Sequence, residues 1–283
     1  MLTPAEEHFI LANAYVPEHI VGLMTYLSGG EPFLIDSYFC CQKDDWVIVV
    51  GYPLDREFLE AELESALEKM KKRFGFTAMW LIAPKLPDSY EKQCQERESD
   101  HYYTLSAKPG NVKSALRRTL NKARDLLAVE QSQQTGKAHQ EISQEFIERT
   151  KPHARIRELV LKSLDYVPRS QKAFVLNAWN KENKLSAFYV MDMSAERFST
   201  YVIGCHSKKH YVPGASDLLL HEALTISAEM NKEYVHLGLG VNEGIRRFKV
   251  KWGGKPVIPY EMGGMAPKRS LFLDLLTRFR IVT

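Results

Sequence analysis

The 283-residue sequence lacks any apolar run approaching the ~18 residues of a membrane span; its longest runs, such as Trp46 to Val50, are short. The amino terminus, MLTPAEEHF, is acidic and has no basic-then-apolar region, which argues against secretion. Cysteine is scarce. The four thiols, Cys40, Cys41, Cys94 and Cys205, form no C-x-x-C pair, so neither a disulfide framework nor a zinc site is readable and a cytoplasmic location is expected. No H-E-x-x-H occurs, because His221-Glu222 lacks the second histidine, and no metal is expected. Absence of G-x-S-x-G, of a Walker loop and of a G-x-G-x-x-G after a strand disfavours serine hydrolase, P-loop NTPase and Rossmann dehydrogenase chemistry. An excess charge of one sign is also missing. Lys plus Arg less Asp plus Glu is 38 − 35 = +3, too small for a polyelectrolyte binder as a whole, so local clusters matter more.

What is present is a globular α/β chain, 45% apolar and 26% charged. A helix starting at Pro4 and an irregular stretch fill the first 36 residues, ended by Gly29-Gly30 and Pro32. Residues 37–52 read as a hairpin around Gln42-Lys43-Asp44-Asp45. A helix follows over 55–74, with Leu63, Ala66, Leu67 and Met70 at helical spacing, then a strand over 77–83. The polar stretch 87–100 marks a boundary, dividing the chain into 1–100 and 101–283. Beyond it come an extended segment at 101–105, a basic helix over 111–127, a short strand at 128–131, and a helix over 141–164 broken near Pro152. A three-strand meander follows at 173–179, 185–193 and 198–205, then a helix over 217–230 capped by Ser216, a strand at 234–237 and a last helix over 270–279. Segments 38–83 and 173–237 both run strand–strand–helix–strand, a topological hint of duplication.

Three segments could carry chemistry. The loop His210-Tyr211-Val-Pro-Gly214-Ala215-Ser216 precedes a helix, where small residues leave backbone N–H groups open to an anion at the positive end of the helix dipole. An ordinary capped helix start is the plainer alternative. RRFKVKWGGK, residues 246–255, carries five positive charges and no negative one. Read as extended, it puts Phe248, Val250 and Trp252 on one face and Lys249 and Lys251 on the other. Such a basic face suits a phosphate or an anionic transition state, or else protects an edge strand. The third segment, 108–124, has six basic residues and no acid, with Leu116 and Leu120 on a separate face; it could meet RNA, a nucleotide or only solvent.

The order meander, Pro213-Gly214-Ala215-Ser216-Asp217, helix, strand, Gly238-Leu-Gly240, then Gly244-Ile-Arg-Arg-Phe248-Lys249-Val-Lys-Trp252-Gly253-Gly254 resembles the C-terminal half of GNAT-fold acyltransferases, nearest the FemAB/FemX-like, BioF2-like branch. Ser114 to Arg124 resembles the basic helix opening the second domain there, and residues 1–100 resemble a degenerate first GNAT-like domain. The resemblance implies a mixed, bent β-sheet flanked by helices, in tandem GNAT-like domains. It implies transfer of an acyl or aminoacyl group from acyl-CoA or aminoacyl-tRNA to a small-molecule or peptide amine, with no tightly bound cofactor. Tyr211, Gly214, Ala215 and Ser216 align with the pyrophosphate-binding loop, with Tyr211 standing where Gln or Arg is usual. Lys249 aligns with the lysine facing the donor, with Arg247 and Trp252 beside it. Glu243, His210 and Asp217 are the candidate bases, Glu243 foremost. Segments 108–124 and 246–255 are the expected tRNA contacts, and any membrane contact would be peripheral. A non-catalytic module binding a nucleotide, a phosphorylated ligand or RNA is the alternative.

Overall fold

The computed structural model describes residues 2–108, 113–152 and 154–266. Among these, residues 2–103, 239–247 and 256–266 gather into one compact unit, and Thr104–Gly238 with Phe248–Lys255 into another. The chain thus leaves the first unit near residue 103 and returns to it twice.

In the first unit, α1 (Pro4–Asn13) starts on a reciprocal cap between Thr3 and Glu6. Pro17 follows it, and α2 (Val21–Ser28) then ends on Gly29 in the left-handed region, φ 68°. Residues 31–35, expected to be irregular, instead form strand β1 (Glu31–Ile35). It pairs antiparallel with β2 (Tyr38–Lys43), which pairs antiparallel with β3 (Trp46–Val50). Helix α3 (Glu60–Arg73) buries Leu63, Ala66, Leu67 and Met70, and returns the chain to β4 (Ala78–Ala83), parallel to β3. A short α4 (Asp88–Glu91) leads into β5 (Glu96–Ser106). Residues 96–100 were expected to be irregular because they are polar throughout. They alternate between half-buried and exposed, as a strand does without an apolar face.

The second unit opens with α5 (Ser114–Arg124), which buries Leu116, Leu120 and Ala123 and exposes Arg117, Arg118, Lys122 and Arg124. Then come β6 (Leu127–Ser132), α6 (Lys137–Thr150) and α7 (Ala154–Tyr166). The meander β7 (Ala173–Asn180), β8 (Leu185–Asp192) and β9 (Phe198–His206) is antiparallel, and β6 extends it at β7. Helix α8 (Ala215–Glu229) crosses to β10 (Tyr234–Leu239), parallel to β9. Helix α9 (Glu243–Lys251) and strand β11 (Lys255–Met265), antiparallel to β4, complete the described chain. The helix expected over 270–279 lies outside the described residues. The sheets are mixed and flanked by helices, and both units run two antiparallel strands, a crossover helix and a parallel strand: β2–β3–α3–β4 and β8–β9–α8–β10.

The extended reading of 246–255 is corrected, because residues 246–251 are helical. Ile245, Phe248, Lys249 and Trp252 fall at i, i+3, i+4 and i+7, and these side chains are buried or half-buried. Arg246, Arg247, Val250 and Lys251 face solvent. Gly253, at φ 91°, ends the helix, and the Gly254 N–H donates to the Lys249 carbonyl at 2.9 Å.

Candidate phosphate and acyl site

The two crossovers differ where a donor would have to fit. In the first unit, β3 and β4 pair at five positions, from Trp46↔Ala78 to Val50↔Ile82, and the Gly51 N–H continues the ladder to the Ile82 carbonyl at 2.7 Å. In the second, β9 and β10 pair only at Phe198, Ser199 and Thr200, although β9 runs to His206 and β10 to Leu239. The first pair of parallel strands is zipped shut, and the second opens into a fork beyond Thr200 and His236. An open fork leaves strand N–H and C=O groups facing a gap, where a ligand can take the place of the missing ladder.

The starts of the crossover helices differ too. Helix α3 has Leu59 before it and Glu60 and Glu62 in its first turn, a poor place for an anion. Helix α8 starts from Gly214 at φ 85°, with no side-chain cap. This corrects the expected Ser216 cap: the left-handed glycine turns the chain in, and Ser216 lies inside the helix with its carbonyl accepting from the Tyr189 hydroxyl at 2.9 Å. The Ala215 N–H reaches the Val212 carbonyl at 3.2 Å, whereas the amides of Ser216 and Asp217 have no acceptor among the described residues. A Cβ on Gly214 would come within 3.0 Å of Thr119 and 3.2 Å of Ala123, both on α5. The basic helix singled out in the sequence therefore abuts this loop, and Arg124 approaches His221 of α8 at 3.5 Å.

Asp217 is braced. Its carboxylate accepts from Trp252 Nε1 at 2.8 Å and pairs with Lys251 at 2.5 Å. The brace ties the end of α9 to the first turn of α8 and neutralises a carboxylate that would repel a phosphate. It also occupies Asp217 and Lys251, a candidate base and a candidate tRNA contact. Upstream, the loop is fastened by Glu145 of α6, which accepts from Ser207 Oγ at 3.2 Å and from the Lys208 N–H at 2.7 Å. Glu145 carried no recognisable sequence signal.

Lys249 is 5% exposed, on the inner face of α9. His236, fully buried at the last paired position of β10, is depressed to about 3 by burial and then by the Lys249 ammonium. The Gly238 N–H donates to His236 Nδ1 at 3.2 Å, which leaves the ring proton on Nε2. Among the other expected site residues, Tyr211 is 59% exposed, and Arg247 pairs across one turn with Glu243 at 3.8 Å. The Glu243 side chain is 80% exposed. His210 is fixed through its N–H, which donates to Ser207 Oγ. The cysteines offer no thiolate: burial pushes Cys41 and Cys205 up to about 12 and Cys94 to about 11.

Thr200 marks the crotch of the fork. It is 1% exposed, and its hydroxyl has no partner among the described residues. Thr200→Val should therefore raise unfolding free energy by about 1 kcal/mol, because an unsatisfied buried hydroxyl is removed without changing shape. Thermal melts would read this as a higher Tm; a clear fall in Tm would show that the hydroxyl is satisfied in the fold.

No protein-family model matches the sequence, and no curated protein matches it. Solved structures do. A crystal structure of FemX aligns over 99% of this chain and 98% of that one, at 11% identity and TM-score 0.59. L-PGS from Bacillus licheniformis aligns over 98% and 96%, at 17% identity and TM-score 0.57. A GCN5-related N-acetyltransferase from Kribbella flavida aligns over 90% and 95%, at 14% identity and TM-score 0.56. The chain therefore has a GNAT fold of the FemX-like kind.

Proposed function

We propose that the second unit is an N-acyltransferase that moves an acyl or aminoacyl group from acyl-CoA or aminoacyl-tRNA to an amine. The observation that carries this is the fork between β9 and β10, open in the second unit where its counterpart in the first is zipped. Both donors join a carbonyl to a phosphate-bearing nucleotide, and the fork lies between strands joined by the helix whose first amides are open. The amine nitrogen attacks the carbonyl carbon and forms the C–N bond. The C–S or C–O bond breaks, the nitrogen loses a proton to water, and the leaving sulfur or oxygen takes one up. Lys249 serves as a fixed cation beside the developing oxyanion, and the enzyme contributes mainly positioning and charge stabilisation.

Donor binding tests the reading. Acetyl-CoA and an aminoacyl-tRNA acceptor-stem mimic are each titrated calorimetrically into the wild type and Gly214→Ala. The substitution strains a left-handed position by about 1–2 kcal/mol and crowds Thr119. The true donor should bind ~10-fold or more weakly to the variant. Unchanged affinity for both donors would sink the site. The salt dependence separates them: a slope of about two charges fits CoA pyrophosphate, and a markedly steeper one fits RNA lying along α5.

A further inference from the structure

The open stretch of β9 holds a phenol that the acyl-transfer reading leaves without a task. Tyr201 is the first residue of β9 beyond Thr200, the last to pair with β10. It is half-buried, and its hydroxyl has no hydrogen-bond partner among the described residues. Unlike the hydroxyl of Thr200, that of Tyr201 is not sealed from solvent.

The backbone sets where the phenol points. Against β8, Met191 opposes Tyr201 and Val190 opposes Ile203, so β9 carries one extra residue at the mouth of the fork. Such a bulge re-aims the side chains beside it. A Cβ on Gly204 would collide with the Tyr201 hydroxyl and come within 2.6 Å of the Tyr189 ring. The Tyr201 ring therefore lies along β9, with its hydroxyl over the bare Cα of Gly204. Tyr189 holds that ring edge-on, with centroids 4.7 Å apart at 76°. Tyr189 is itself tied to the first turn of α8 through the Ser216 carbonyl. The ring is fixed and its hydroxyl is free, on the stretch of β9 that runs from the crotch at Thr200 towards the loop before α8.

This position matches one atom of the donor. With phosphates at the start of α8 and the carbonyl towards the crotch, the sulfur or oxygen that leaves lies on the phosphate side of the carbonyl. Lys249 is assigned to the carbonyl oxygen, which leaves that atom without a protein donor. Burial, and after it Cys205, holds the Tyr201 phenol above its ordinary range, so it arrives protonated.

We infer that the Tyr201 hydroxyl donates its proton to the leaving atom, an inference that rests on the acyl-transfer reading. As the C–S or C–O bond breaks, its electron pair passes to the sulfur or oxygen, which takes the Tyr201 proton. The proton shed by the attacking nitrogen returns to the phenolate through water.

The test removes the leaving atom from the ligand and the hydroxyl from the protein, and it needs no acceptor amine. CoA and desulfo-CoA are titrated calorimetrically into the full chain at about pH 9.5, where a thiol is largely ionised. An acceptor-stem mimic ending in adenosine is compared, near neutral pH, with one ending in 3′-deoxyadenosine. In the pair that binds, the wild type should prefer the ligand that keeps the leaving atom, ~10-fold for the thiolate or ~3-fold or more for the hydroxyl. Tyr201→Phe keeps the ring, so affinity for the ligand lacking that atom should be unchanged while the preference shrinks ~3-fold or more. No preference in the wild type, or one that Tyr201→Phe leaves intact, would overturn the inference and leave acyl transfer standing. If neither CoA nor the adenosine-ended mimic binds, both fall.

Discussion

Lys249→Met should cost ~10²–10³ in kcat per folded molecule, the size of effect seen when one donor to a developing oxyanion is removed. Lys249 is buried on the inner face of α9, and methionine fills nearly the same volume while removing the charge. A lysine that only held the fold together would lower Tm on substitution with little change in kcat per folded molecule. His236 gives a second readout. The Lys249 ammonium is the second cause, after burial, of the depression of His236 to about 3, so in the variant the imidazole should titrate higher, yet still well below its usual range. NMR titration of the imidazole measures this directly. A kcat within threefold of wild type, with His236 unmoved, would remove Lys249 from the chemistry.

Acid should destabilise the protein well above the range where most carboxylates titrate. His19 and His236 are fully buried and both depressed to about 3, against 6.5 in the unfolded chain. The unfolded state therefore binds more protons below pH 6.5. Stability is fully present above that pH and is lost as pH falls from 6.5 towards 3. From pH 6.5 to 5 the loss should be about 2 kcal/mol for each histidine, at 1.36 kcal/mol per pH unit. Glu18 opposes this, since its raised carboxyl takes up a proton more readily in the native state. The histidine share is isolated by difference: urea unfolding of wild type and His236→Gln at pH 7 and pH 5 should show a pH-dependent loss about 2 kcal/mol smaller in the variant. Equal losses would mean that His236 is protonated in the native state.

The sequence disclosed elements whose apolar spacing follows a single rule. Helix α3 was readable from Leu63, Ala66, Leu67 and Met70, and the β7–β9 meander from its alternating runs. It hid elements whose signal is shared by two rules. RRFKVKWGGK alternates well enough to pass for a strand, yet the stripe of Ile245, Phe248, Lys249 and Trp252 is helical and includes a charge, which apolar counting skips. The second half of β5 was readable as the extended segment 101–105, but its first half stayed hidden because residues 96–100 carry almost no apolar pattern. At the site, Gly214 was visible as a small residue before a helix, but its left-handed conformation and its contact with Thr119 belong to packing, not to local sequence. The brace from Asp217 to Lys251 and Trp252 joins positions more than thirty residues apart. Nor can sequence show where two paired strands part, since the residues flanking Thr200 and His236 suit a closed ladder as well as an open one.

On the proposed reading, the donor's phosphates enter at the start of α8 and not at the equivalent place of the first unit. Backbone amide NMR during titration with acetyl-CoA, and separately with the acceptor-stem mimic, tests this. The Gly214, Ser216 and Asp217 amides should shift saturably with one of the two donors, while those of Leu59 to Glu62 at the start of α3 stay still. Shifts confined to the start of α3, or none at α8 with either donor, would contradict it.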